Sequence, residues 1–144
     1  MGGSFPVVTK KPDKQVGALP YRKHGQGIEI LLVSSRETRR WIIPKGWPMK
    51  GKKDWNAAAI EAFEEAGVEG KVGKKSIGTY RYDKRKKSGA LVPTEVIVYP
   101  LDVKLILGDW PEKNERRRKW LPASEAAELV NEEGLKAIIE ATLV

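Results

Sequence analysis

GWPMKGKKDWNAAAIEAFEEAGV, residues 46–68, sets a Gly-rich basic loop directly ahead of a segment built for a helix. Asp54 suits an N-cap, AAAIEAFEEA supplies strong helix formers, and Gly67 stands where a left-handed C-terminal cap belongs. At 3.6 residues per turn, Glu61 lies one turn from Glu64 and Glu65. Ala58, Ile60 and Phe63 are then the apolar contacts, with Glu61 and Glu65 sharing another face. Like charges at these spacings cost a helix roughly 0.2–0.5 kcal/mol per pair. A divalent cation offsets that repulsion, because hard cations take carboxylate oxygens together with substrate phosphates. The segment is therefore a candidate site for phosphate chemistry, against the alternative of a solvated acidic helix face.

Outward from this helix, short apolar runs read as strands. QVGALPYR (15–22) and IEILLVSS (28–35) are joined by the turn HGQG (24–27), and RWIIP (40–44) is a third extended piece halted by Pro44. SIGTYRYD (76–83) and TEVIVYPLDV (94–103) follow the helix, with the polar KRKKSGALVP between them as a hairpin loop or lid. Residues 124–130 and 132–143 read as helical. Residues 1–14 read as a loose arm rich in Gly, Pro and Lys, and 15–144 as one domain. Strands on both sides of a central helix predict an α/β fold with a mixed sheet.

The chain has 144 residues, enough to bury roughly two thirds of its unfolded surface as one domain. Its 40% hydrophobic and 32% charged residues are those of a soluble globular protein. No apolar run approaches the roughly 18 residues that span a bilayer, and the N-terminus lacks the pattern of a secretory signal. The absence of cysteine excludes disulfides and thiolate metal sites and permits a cytoplasmic setting. A net charge of +8, from 27 basic and 19 acidic residues, favours anionic partners: nucleotides, RNA or other polyphosphates. No membrane partner and no obligate protein partner is indicated.

Residues 46–68 resemble the Nudix box, G-x5-E-x7-R-E-U-x-E-E-x-G-U with U aliphatic. Gly46, Glu61, Glu64, Glu65, Gly67 and Val68 match in register, and Ala62 takes the first U. The resemblance extends over about residues 15–143 and implies an α/β/α sandwich around a central mixed sheet. Two positions depart from the pattern: Lys52 replaces the first Glu and Ile60 replaces the Arg that orients the metal-binding carboxylates. Within the family, EILLVSSRETRRWIIPKG and GDWPEKNERRRKWLPASEAAEL are similar to stretches of diphosphoinositol polyphosphate phosphohydrolases and their bacterial relatives. Their substrates as a group are diphosphoinositol polyphosphates and dinucleoside polyphosphates.

The resemblance implies a pyrophosphohydrolase dependent on Mg²⁺, with Mn²⁺ as a substitute. Glu61 and Glu65 are the leading metal ligands, Glu64 the general base or a further ligand, and the Gly46 carbonyl part of the metal shell; Glu61 and Glu64 are the catalytic pair. Lys45, Trp47, Lys52, Arg116, Arg117 and Arg118 are the candidate substrate-binding residues, with Lys50, Lys53 and the Lys84–Lys87 run behind them. Glu95 is a candidate extra carboxylate. His24 reads as a surface residue, and Trp41, Trp55, Trp110 and Trp120 as packing groups. Two further readings stay open: removal of pyrophosphate from RNA 5′ ends, and a catalytically decayed module, motivated by Lys52 and Ile60, that binds a ligand or RNA.

Overall fold

Leu91–Ile106 carries Val92, Thr94, Val96, Ile97, Val98 and Tyr99, β-branched and aromatic residues that suit a pleated sheet, and it forms the longest strand. The structure, a computed structural model, describes residues 11–142. In chain order these form β1 (Asp13–His24), β2 (Gly27–Ser34), β3 (Trp41–Ile42), β4 (Lys45–Gly46), α1 (Asp54–Ala66), β5 (Val68–Val72), β6 (Gly78–Arg85), β7 (Leu91–Ile106), β8 (Arg118–Pro122), α2 (Ala123–Leu129) and α3 (Glu133–Ala141). β7 runs parallel to β1, from Asp13 beside Thr94 to Tyr21 beside Asp102. Along its other edge β7 holds β6 and β5, both antiparallel. β1 pairs β2 near the Gly25–Gln26 turn and β4 near its start, and β2 carries β8 and β3. The sheet is mixed, as expected.

The period-2 alternation of the strands sorts their side chains into two cores. Leu19, Ile30, Leu32, Val96 and Val98 face α2 and α3, where Ala126, Leu135, Ile138 and Ile139 meet them. Val16, Ala18, Leu31, Val33 and Leu101 face α1. The result is the α/β/α sandwich. From α1, Ala57, Ala58, Ala62 and Ala66 are buried against the sheet. Ala58 packs inward as expected, whereas Ile60 and Phe63 are only partly buried and line a shallow outer groove with Ala59 and Glu69. Small alanines on the inner face let the helix axis approach the sheet closely.

The helix ends differ in how well the sequence foretold them. Gly67 is left-handed at φ 65°, and its N–H donates to Phe63 O, as expected. At the other end Lys53 occupies the N-cap without a side-chain bond, and Asp54 is the first helical residue, where its charge faces the positive end of the helix dipole. The arm expected over 1–14 lies outside the described residues up to residue 10, while Asp13 and Lys14 belong to β1. The third extended piece shrinks to Trp41–Ile42. Short β4, β5 and β8 were not anticipated; β5 is mostly exposed and kinked by a bulge between Glu69 and Gly70, so it lacks an apolar alternation to announce it.

Arg118 closes the C-terminal end of α1. Its guanidinium donates to the carbonyls of Ala66 (2.9 Å), Gly67 (3.3 Å) and Leu107 (2.7 Å) and lies 3.9 Å from the centre of the Trp110 ring. Trp110 Nε1 in turn donates to Glu65 O at 3.1 Å. These bonds satisfy carbonyls that a helix end leaves unpaired. Replacing Arg118 by Met removes the partner of the Ala66 and Leu107 carbonyls, while Gly67 O keeps the Leu107 N–H, and is expected to cost about 2 kcal/mol in chemical denaturation. Arg117→Ala, an exposed side chain next door, is expected to change stability by less than about 0.5 kcal/mol.

Candidate active site

Gly46 is where the loop before α1 touches the helix. β4 is fixed by pairing of Val16 with Gly46 and Gly17 with Lys45, and Ala18 N–H donates to Pro44 O at 3.0 Å. A methyl group added to Gly46 would collide with the Glu61 carboxyl group, so any side chain here would push that carboxyl group out of its present place. Glu65, one turn on, is 5% exposed and accepts the Lys45 backbone N–H at 3.4 Å. The Glu61 and Glu65 carboxyl groups line the same cleft, each within the other's electrostatic reach. Burial, then the Glu65 charge, pushes the Glu61 carboxyl well above its usual range. Burial also raises Glu65, against the pull of the Arg116 guanidinium and the Lys45 ammonium.

Cations ring this pair. Lys45 places its ammonium 4.9 Å over the Tyr82 ring, and burial lowers its pKa to about 8 although Glu65 and Glu132 pull it back up. Tyr82 O–H donates to Gln15 Oε1 at 2.7 Å. Arg116, with a side chain 7% exposed, donates from Nε to Glu112 at 2.8 Å and from Nη1 to Ser34 O at 3.1 Å, and its Nη2 stands 3.7 Å from Glu65. Gly46, Trp47, Glu61, Glu65, Lys84 and Arg36 complete the lining of this cleft. It opens onto a second space of about 450 Å³ rimmed by Ser35, Thr38, Arg40 and Arg85.

Of the residues anticipated for the site, Lys45, Gly46, Trp47, Glu61, Glu65 and Arg116 come together in the cleft. Glu64 does not line it, although its charge acts on Glu61. Lys52 is exposed in the turn closed by its own N–H to Met49 O and stands outside the lining, as do Lys50 and Lys53. Arg117 lines a shallow pocket elsewhere, with Ser34, Arg39 and Trp41, while Arg118 serves the helix end. Glu95 is ion-paired with Arg81 at 3.6 Å outside the cleft. From the Lys84–Lys87 run, Lys84 and Arg85 reach the cleft system. His24 is exposed at the hairpin.

Arg36, Arg40, Gln15, Tyr82 and Glu112 escaped the sequence reading. Arg36 and Arg40 stood in plain view in the basic SSRETRRW loop, and Glu112 was signalled by its i,i+4 spacing to Arg116. Gln15 and Tyr82 carry no local signal, because only the parallel β1–β7 pairing and the β6 hairpin bring them to the cleft.

Among the described residues no three His, Asp or Glu side chains gather at metal-ligand spacing. The fit of a divalent cation rests on two neighbouring carboxyl groups, Glu65 buried and Glu61 half-buried, with Glu61 close against a glycine whose carbonyl is a further hard oxygen donor. Those oxygen donors suit a hard divalent cation.

A NUDIX domain model matches residues 11–141, and the chain belongs to that family. It is 36% identical over 131 residues to Nudix hydrolase 21, chloroplastic, of Arabidopsis thaliana, covering 88% of this chain and 64% of that protein. It is 32% identical over 119 residues to diphosphoinositol polyphosphate phosphohydrolase 3-beta of Bos taurus, covering 81% and 68%. Against three Arabidopsis relatives the chain spans 57–64% of their length. The fold is similar to that of a Nudix hydrolase from Nitrosomonas europaea (TM-score 0.69, 18% identity, 92% and 88% covered). It is also similar to the C. elegans Ap4A hydrolase binary complex (0.63, 23%, 90% and 94%).

If a divalent cation seats between the two carboxylates, Mg²⁺ at a hundredfold over its Kd adds about 2.7 kcal/mol to wild-type stability in thermal unfolding. Glu61→Gln, which preserves shape, is expected to reduce that gain to below about 0.5 kcal/mol. An undiminished Mg²⁺ response would place the cation elsewhere.

Proposed function

We propose that the protein is a metal-dependent pyrophosphohydrolase that cleaves a diphosphate linkage in a highly phosphorylated small molecule, a dinucleoside polyphosphate or a diphosphoinositol polyphosphate. The observation that carries this reading is the Glu61–Glu65 pair seated against Gly46 within a ring of cations, Lys45, Arg36, Lys84 and Arg116. The similar proteins named as phosphohydrolase and Ap4A hydrolase support it.

In this proposal Glu61, Glu65 and the Gly46 carbonyl hold Mg²⁺, for which Mn²⁺ substitutes. The ion, when bound, supplies charge stabilisation at a phosphoryl oxygen and acidifies water. Lys45 and Lys84 bind the phosphates as point charges, and Arg36 orients them with its planar fork. Arg116 keeps the Glu65 carboxylate in place between Glu112 and the Ser34 carbonyl. Glu64, beside the cleft, takes the proton of the attacking water through one intervening water. Water oxygen bonds to phosphorus as the anhydride P–O bond breaks, leaving two phosphorylated products.

The departures at Lys52 and Ile60 leave the cleft intact in this account. Lys52 is exposed and away from the cleft, and Arg116 brings to Glu65 a cation from outside the box. No helix among the described residues is long and apolar enough to cross a membrane. Cytoplasmic residence is part of the proposal; two relatives are named chloroplastic and mitochondrial.

A phosphate-release screen with Mg²⁺ and Mn²⁺ tests the reading, over diadenosine polyphosphates, diphosphoinositol phosphates, nucleoside triphosphates and 5′-triphosphate RNA. Release that chelator abolishes is expected, and Glu65→Gln is expected to lower kcat by at least about 10²-fold with the fold retained. Near-wild-type rates in both Glu65→Gln and Glu61→Gln at saturating Mg²⁺ contradict it, as does RNA binding with a steep salt slope and no hydrolysis.

A further inference from the structure

Strand β5 reads Val-Glu-Gly-Lys-Val, apolar at both ends and oppositely charged on either side of a central glycine. One of its edges pairs β7, and among the described residues no strand pairs the other. Glu69, Gly70 and Lys71 are exposed. The extra residue of the bulge, Lys104, lies on β7, so β5 itself runs unbroken. Glu69 and Lys71, two residues apart, share one side of the sheet. Across the ladder Glu69 faces the apolar Leu105, and Lys71 faces Asp102, whose carboxylate already holds Lys104 at 2.9 Å. Leu105 and Ile106 are 50% and 42% exposed at this corner. The unpaired backbone groups of an open edge are a template for another strand. Charges that guard an edge repel an incoming strand, whereas these two are opposite in sign and symmetric about Gly70.

We propose that β5 is a self-complementary dimerisation edge, and that its partner is β5 of a second copy of this chain. In an isologous contact one patch serves both protomers about a two-fold axis. With the strands antiparallel and the axis through Gly70, Glu69 stands opposite the partner's Lys71, and Val68 opposite the partner's Val72. Two cross-strand ion pairs form together. Moving the axis to Glu69 or to Lys71 sets like charges against each other, so charge selects a single register. Gly70 places no side chain at the axis, and a methyl group there would strike the Asp102 carbonyl of β7. An axis normal to the sheet continues it from one protomer into the next and leaves both α1 helices on one face. The two Ile60–Phe63 grooves, which border β5 at Glu69 and Gly70, then flank the axis. Isoleucine at 60 puts no charge there, where a cation on each side would repel. With 5 residues of strand on each side the contact is small, so the dimer dissociates on dilution. No cleft residue lies on β5, and the inference is independent of the hydrolase reading.

Sedimentation velocity of the full chain over a dilution series tests this. Wild-type protein is expected to pass from monomer to dimer as its concentration rises, and to dissociate in high salt, which screens exposed ion pairs. Glu69→Lys and Lys71→Glu each set like charges across both pairs, and each is expected to weaken association at least about tenfold. An equimolar mixture of the two variants restores opposite charges at both pairs and is expected to recover a mixed dimer. Misfolded variants could not produce that recovery. A wild type that stays monomeric at every concentration overturns the proposal. So does a dimer that both variants keep, or a mixture that associates no better than its components. β5 amides protected from hydrogen exchange in a monomer assign the edge to another segment of the chain and overturn it equally.

Discussion

Two carboxyl groups that repel each other, the half-buried Glu61 and the buried Glu65, are held side by side, and most of the site exists to make that tolerable. Gly46 lends the absence of a side chain so that Glu61 can lie against the β4 backbone. Lys45 and Arg116 offset the charge. The alanine face of α1 brings the helix close enough to the sheet for this contact, and Arg118 with Trp110 ties off the helix end one residue beyond Glu65. Holding two such groups together is costly, and the cations around Glu65 offset that cost.

Three consecutive arginines illustrate how a single charge run divides into unrelated tasks. Arg116 turns into the cleft and is nearly inaccessible, Arg117 projects outward, and Arg118 points back to the end of α1. Strand β8 begins at Arg118, and where extended backbone sets in, neighbouring side chains take opposite faces. The cation at Glu65 comes from this segment and not from α1, where Ile60 occupies an outer groove. A decayed box would be expected to lose its carboxylate geometry, whereas here Glu61, Glu65 and Gly46 remain tightly apposed.

The fold was legible where periodicity was strong. α1, the two hairpins and β7 announce themselves by apolar alternation, helix formers and glycine turns, and the mixed sheet follows from their order. The two-residue strands β3 and β4 and the exposed edge strand β5 exist through partners distant in sequence, so no local pattern reveals them. The site divides in the same way. Glu61, Glu65 and Gly46 were legible because one helix and its entry loop contain them all. Tyr82 and Gln15 reach the cleft only by strand pairing, and Lys52 and Arg117 were misleading because charge in a sequence says nothing of the direction a side chain takes. Glu64 shows the limit of helical spacing: it shares the turn with Glu65 but lies off the cleft.

The central claim is that the Glu61–Glu65 pair against Gly46 is a cation site. Anomalous diffraction from crystals soaked in Mn²⁺ tests it most directly. The account predicts a peak at about 2.1 Å from oxygens of both carboxylates, within reach of the Gly46 carbonyl. A peak that avoids both glutamates, or none at saturating Mn²⁺, would contradict it.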